Sequence, residues 1–222
     1  MKLDSLQVGM IGTNCYLLCD DKTDHCGIID PGGEPARIIA AVEEAGLTPE
    51  CILLTHGHYD HTGGIEGLEE FYPHTPVYVH MGDVEGVSRG LFPPIDESVR
   101  RSYGEGDQVE LGGLTIDVLH TPGHAIDHVS YITPDNVCYI GDALMCGHTL
   151  HASRLPYAFN FRQSLETIEK LKAMGIKIEV GERSSYNTDK KPVRMEYLDD
   201  IDIPGFKDLP TFKRMCVCIL KN

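Results

Sequence analysis

The sequence predicts an α/β fold, a four-layer αββα sandwich. Short apolar runs bounded by turn residues alternate with stretches of helical periodicity. These elements fall into two similar sets, each able to form a sheet with helices on its outer side. Histidines and aspartates stand at the ends of several of the apolar runs, where a sandwich would gather them on one rim.

In order along the chain, residues 15–19 and 25–29 are apolar runs separated by Asp20-Asp21-Lys22-Thr23-Asp24, which reads as a β-hairpin. Pro31-Gly32-Gly33 breaks the chain, and residues 34–45 have helical periodicity ending at Gly46. Residues 51–54 are a short buried strand, 64–71 a helix and 76–80 another strand. The glycine- and charge-rich stretch 82–106 reads as a long loop or short helices. Residues 107–111 and 114–120, joined at Gly112-Gly113, form a second hairpin. Strands at 129–132 and 137–140 flank the turn Thr133-Pro134-Asp135-Asn136. An amphipathic helix at 164–174 and a final strand at 176–180 complete the second set.

A chain of 222 residues suffices for one compact domain. Its formal net charge of −15 repels phosphate backbones, and the basic pairs Arg100-Arg101 and Lys190-Lys191 are isolated, so nucleic acid is not an expected partner. The first residues lack the apolar core of a signal peptide, and no apolar run approaches the ~20 residues that span a bilayer. A membrane partner is therefore not expected either. The eight cysteines are scattered, several in apolar runs such as Val137-Cys138-Tyr139-Ile140, as buried thiols in a reducing cytoplasm would be.

The chemistry concentrates in Thr55-His56-Gly57-His58-Tyr59-Asp60-His61. In extended backbone, residues two apart point to the same side, so His56 and His58 can converge on one cation. Asp60 and His61 follow where Gly57, Gly63 and Gly64 leave the backbone free to curl. Neutral imidazole is a good zinc ligand, and carboxylate neutralises charge at a second position. Two further ligand-type residues stand beside glycine after apolar strands: His124 in Thr121-Pro122-Gly123-His124, and Asp142 in Gly141-Asp142-Ala143.

With those residues in view, the chain from Leu6 to about Gly181 resembles the metallo-β-lactamase superfamily, whose signature is His-x-His-x-Asp-His with a later His and a later Asp. Asn14-Cys15-Tyr16, Ile29-Asp30-Pro31-Gly32 and Thr121-Pro122-Gly123-His124 particularly resemble its small glyoxalase II-like (hydroxyacylglutathione hydrolase-like) members. The resemblance implies two zinc ions, with iron or manganese as alternatives. His56, His58 and His124 would hold the first ion, Asp60 and His61 the second. Asp142 would bridge both, its carboxylate facing His58 and His61. Asp30 would orient the ligand loop from beneath, and Asp60 would act in catalysis. His58 in place of glutamate separates the chain from the diiron flavoprotein branch. Asp142 in place of cysteine separates it from the best-known true β-lactamases. His148 and His151 fall where the family lines its substrate cleft; His25, His74, His80, His120 and His128 receive no role.

The chain departs from the family after its last strand. Where a Gly-His-Gly stretch supplies one more histidine, this sequence reads Gly181-Glu182-Arg183-Ser184, and no histidine occurs beyond His151. Glu182 could coordinate in its place. A one-base shift across Arg183-Ser184-Ser185-Tyr186-Asn187 permits Gly-Pro-Ala-Thr-Thr, which resembles the residues after Gly-His in many members of the family. Residues 182–222 are thus an atypical tail, divergent or frameshifted, after a domain spanning 1–181.

The function implied is hydrolysis of a small thioester or acyl ester by a zinc-bound hydroxide at a dinuclear site. The alternatives are an enzyme resembling the mononuclear iron persulfide dioxygenases and a degenerate metal-binding protein without activity. The expected partner is a small-molecule substrate; the sequence carries no sign of oligomeric state.

Overall fold

The computed structural model describes residues 2–80, 82, 94–143, 160–175, 177–180 and 193–195. Two six-stranded sheets lie at its centre. The first runs in chain order: β1 (Lys2–Val8), β2 (Thr13–Cys19), β3 (His25–Ile29), β4 (Thr48–Leu53), β5 (Val77–His80) and β6 (Arg100–Tyr103). The second likewise keeps chain order from one edge to the other: β7 (Gln108–Leu111), β8 (Leu114–His120), β9 (Val129–Ile132), β10 (Val137–Tyr139), β11 (Lys177–Val180) and β12 (Val193–Met195). Each sheet begins with antiparallel hairpins and passes to parallel pairs, β3–β4–β5–β6 in one and β10–β11 in the other.

Parallel neighbours need crossovers, and the helices supply them. Helix α1 (Pro35–Glu44) links β3 to β4, and the short α2 (Tyr59–Thr62) with α3 (Ile65–Phe71) links β4 to β5. Helix α4 (Phe161–Met174) precedes β11. Pro35 opens α1, where its missing N–H costs nothing, and the left-handed Gly46 follows its end.

The period of two along β2 explains the layering. Cys15, Leu17 and Cys19 join Ile38, Val42, Ile65 and Leu68 in a core between the first sheet and α1 and α3. Tyr16 and Leu18 point the other way, into a second core with Val109, Ile116, Val118 and Tyr131 of the opposite sheet. A strand buried on both faces reads as a continuous apolar run, as residues 15–19 do. Burying each such side chain contributes about 1.5–3 kcal/mol. On the outer side of the second sheet, α4 buries Leu171 and donates from Thr167 Oγ1 to the Pro122 carbonyl at 2.8 Å. The result is the expected αββα sandwich.

Some elements differ from expectation. The stretch 82–106 contains a strand, β6, which the charged pair Arg100-Arg101 disguises. As an edge strand it leaves Arg101 and Ser102 exposed and buries Tyr103. Strand β1 is equally hidden in the sequence, because its alternation is weak. Helix α4 starts at Phe161 rather than 164, capped by Asn160 Oδ1, which accepts from the Arg162 and Gln163 amides at 3.1 and 3.3 Å. Cys15, Cys19, Cys26, Cys51 and Cys138 are buried thiols with no disulfide among them, and burial pushes Cys138 up to about 12. Among the described residues no helix is long and apolar enough to cross a membrane.

Candidate metal centre

Four strand ends meet at one rim of the sandwich. Thr55 and His56 follow β4, Asp30 follows β3, Thr121 to His124 follow β8, and Asp142 follows β10. The two sheets are joined there by the Val129 amide, which donates to the Thr55 carbonyl at 2.8 Å. Just beneath, the hydroxyls of Tyr103 and Tyr131 both donate to the Leu54 carbonyl at 2.6 Å and contact one another.

Asp30, held at φ 50°, organises the ligand loop. Its Oδ1 accepts the Thr55 amide at 2.8 Å, and its Oδ2 accepts the Thr55 hydroxyl at 2.7 Å. Oδ2 also faces His61 Nδ1 at 2.9 Å. The carboxylate accepts from His61 Nδ1–H, which turns the ring's Nε2 toward the rim. The Thr55 hydrogen is committed to Asp30. Thr55 Oγ1 therefore accepts from His56 Nδ1 at 3.0 Å, and neutral His56 leaves its Nε2 bare.

The imidazole nitrogens converge. His56 Nε2 lies 3.0 Å from His58 Nδ1, which lies 2.9 Å from His124 Nε2. Nitrogens held about 2.0–2.1 Å from one tetrahedral ion come about this close to each other. Asp142 spans the neighbouring gap, with Oδ2 at 3.4 Å from His124 Nε2 and Oδ1 at 3.4 Å from His61 Nε2. Asp60 Oδ2 is 3.5 Å from His61 Nε2 and accepts from Thr13 Oγ1 at 3.3 Å. Two overlapping donor sets could each hold an ion: His56, His58, His124 and His56, His61, Asp142. His56, Asp60, His61, His124 and Asp142 are buried, whereas His58 is exposed at the mouth.

The electrostatics suit a cation. Burial holds His56 well below its ordinary pKa, with the neighbouring imidazoles adding to the effect, so it is neutral at pH 7. His58 is lowered by burial, with the Asp142 carboxylate opposing. Burial alone would also lower His61, but the Asp30 and Asp142 carboxylates outweigh it and raise the group to about 10. Carboxylates that hold a proton on a fully buried imidazole form a pocket of negative potential, and a divalent ion satisfies the same potential.

The structure thus brings His56, His58, Asp60, His61, His124, Asp142 and Asp30 to one site. The Asp142 carboxylate faces His61 as expected and also His124, and its charge acts on His58. Glu182, His148 and His151 lie outside the described residues.

Sequence reasoning gives no site role to two other groups. Asp127 accepts the Gly57 amide, between His56 and His58, and burial raises its carboxyl. His128 is fully buried and stacks on His56, with ring centroids 5.0 Å apart at 29°. Its position four residues after His124 is the only signal in the sequence.

Comparison with known proteins gives the family. The metallo-beta-lactamase superfamily matches residues 8–181, and the chain belongs to that superfamily. A domain of unknown function matches residues 162–222. A probable metallo-hydrolase of Bacillus subtilis is 35% identical over 158 residues, which are 66% of this chain and 73% of that protein. A hydroxyacylglutathione hydrolase of Photobacterium profundum is 33% identical over 75% of this chain. The match spans only 60% of that enzyme's own length. Among solved structures, TTHA1623 in a di-iron-bound form is 29% identical, with a TM-score of 0.62 over 82% of this chain and 92% of that one.

Proposed function

We propose that the chain is a metal-dependent hydrolase of a small thioester or acyl ester, working at a dinuclear zinc site. The observation that carries this reading is the convergence of His56 Nε2, His58 Nδ1 and His124 Nε2 beside an Asp142 carboxylate whose two oxygens face His124 and His61 at 3.4 Å each. In this reading the three histidines hold one ion, Asp60 and His61 the other, and Asp142 both. A set of imidazoles and carboxylates without thiolate fits zinc, and also iron or manganese.

Ions bound there supply Lewis acidity and a water acidified to a pKa of about 7. The chain supplies the rest. His56 already presents a bare Nε2 atom, and His61, held through Nδ1 by Asp30, would coordinate by giving up its Nε2 proton without turning its ring. Asp60, steadied by Thr13, is placed to orient the attacking water and accept its proton. His58 and Tyr59 lie at the open mouth, where a substrate would enter. The hydroxyacylglutathione hydrolases among the relatives support a thioester; the chain spans about three fifths or less of three of them and 74% of the one from Haemophilus influenzae.

Metal analysis of the purified protein, paired with a panel of acyl thioesters and esters, tests the proposal. Two zincs per chain with thioester turnover, both lost in Asp142→Ala, is the expected result. Two irons would correct the metal. One iron per chain with oxygen consumption on a persulfide would replace the reading, as would no metal and no turnover.

A further inference from the structure

Among the described residues, His128 is the one buried imidazole at this rim that faces no other ligand nitrogen. It makes bonds at both ends of its ring. Nε2 receives the Asp142 backbone N–H at 3.1 Å, and Nδ1 lies 2.9 Å from Thr121 Oγ1. A backbone amide can only donate, so Nε2 must be the bare nitrogen and Nδ1 must carry the proton. Nδ1–H then donates to Thr121 Oγ1. The hydroxyl of Thr121 lies 2.8 Å from Ser130 Oγ, and Ser130 in turn hydrogen-bonds Cys138. The chain of bonds starts at Asp142 and ends inside the second sheet, with every member buried.

The backbone is shaped for this approach. Gly141, just before Asp142, sits at φ +47°. A Cβ there would lie 2.9 Å from His128 Nε2 and 2.5 Å from Thr55 Oγ1, so any side chain would push β10's end away from both.

We propose that His128 is a positioning residue for the metal centre: in its Nδ1–H form, with Thr121 accepting that proton and holding the ring, it anchors the Asp142 amide and so sets where the bridging carboxylate lies. This rests on the reading of Asp142 as the bridge. Outer partners of metal ligands act in this way by orienting them. Here the contact runs through the ligand's backbone rather than its side chain. The Asp142 N–H belongs to a short 3-10 turn, Gly141–Ala143, and His128 supplies its acceptor. Without that acceptor a buried N–H is left unsatisfied, and a shift of the turn that relieves it carries the carboxylate along.

Two substitutions separate the two ends of the ring. In His128→Gln the amide oxygen takes the place of Nε2 and can still accept from Asp142. In His128→Asn the amide falls near Nδ1 and can serve Thr121 only. Competition with a chromogenic chelator, on protein loaded with two equivalents of zinc, reads the affinity of each ion. The second ion should stay near wild type in His128→Gln and weaken about 10–100-fold in His128→Asn. Equal affinities in the two variants would overturn the proposal. If His128→Asn does not fold, Thr121→Val takes the acceptor from Nδ1–H and so loosens the ring instead. It should weaken the second ion likewise, with Thr121→Ser restoring it; unchanged binding in Thr121→Val would count against the proposal. Long-range nitrogen–proton NMR of metal-free protein gives a readout independent of any metal. His128 should appear protonated on Nδ1 alone, and a proton on Nε2 would refute the inference. Failure of the dinuclear reading would show separately, as fewer than two ions in the wild type.

Discussion

Asp30 Oδ2 and His61 Nδ1 lie 2.9 Å apart, both buried, and the same carboxylate carries the Thr55 hydroxyl that accepts from His56. One acidic side chain therefore fixes which ring nitrogen of two histidines turns into the site. Asp30→Asn keeps the volume but removes the charge and turns one acceptor into a donor. Its amide would oppose either His61 or Thr55. The second ion should bind about 10–100-fold more weakly, with a smaller loss at the first. Chelator competition measures both, and equal losses would show that Asp30 does not distinguish them.

Glu182, proposed as a further ligand, gives a second test. With Glu182 where other members of the family supply histidine, the second ion would have fewer imidazoles and be easier to remove. Mild chelation should strip one equivalent before the other, and Glu182→His should slow that loss and raise the hydrolytic rate at neutral pH. Simultaneous release of both equivalents, with no effect of Glu182→His, would remove this position from the centre.

Below the site, Tyr103 and Tyr131 share the Leu54 carbonyl. Tyr103→Phe or Tyr131→Phe alone leaves one hydroxyl on that oxygen and should cost about 1 kcal/mol. The double variant leaves the buried carbonyl without a hydroxyl donor and should cost more than the sum of the two. Urea unfolding of metal-free protein is the measurement; strict additivity would mean that the pair does not act on one acceptor.

His80 offers a pH test away from the metal ligands. Its ring stacks on His120, centroids 4.6 Å apart at 7°, and accepts the Gly82 amide at 3.1 Å. Burial, with His120 adding to it, lowers His80 from 6.5 to about 4. The folded state thus refuses a proton that the unfolded chain accepts. The stabilisation tied to neutral His80 is complete above pH 6.5 and is lost as pH falls toward 4. His80→Phe keeps an aromatic ring in the stack and should flatten the fall of melting temperature over that interval. A parallel fall in wild type and variant would exclude His80 as the source.

The linear sequence determined the candidate donor set. His56, His58, Asp60 and His61 are clustered within six residues, and His124 and Asp142 each follow an apolar run beside a glycine, so alternation and turn chemistry already put them at strand ends. The layered fold was legible for the same reason, since β2 and β4 read as apolar runs buried on both faces. Only the tertiary structure decided which atoms meet. That His128 serves Asp142, that Tyr103 reaches Leu54 from an edge strand carrying two arginines, and that one aspartate orients both His56 and His61 are contacts between distant segments. Periodicity records which face a residue occupies. It carries no record of hydrogen-bond partners across two sheets, because those depend on how the sheets pack, and packing is settled by the shape of both cores together.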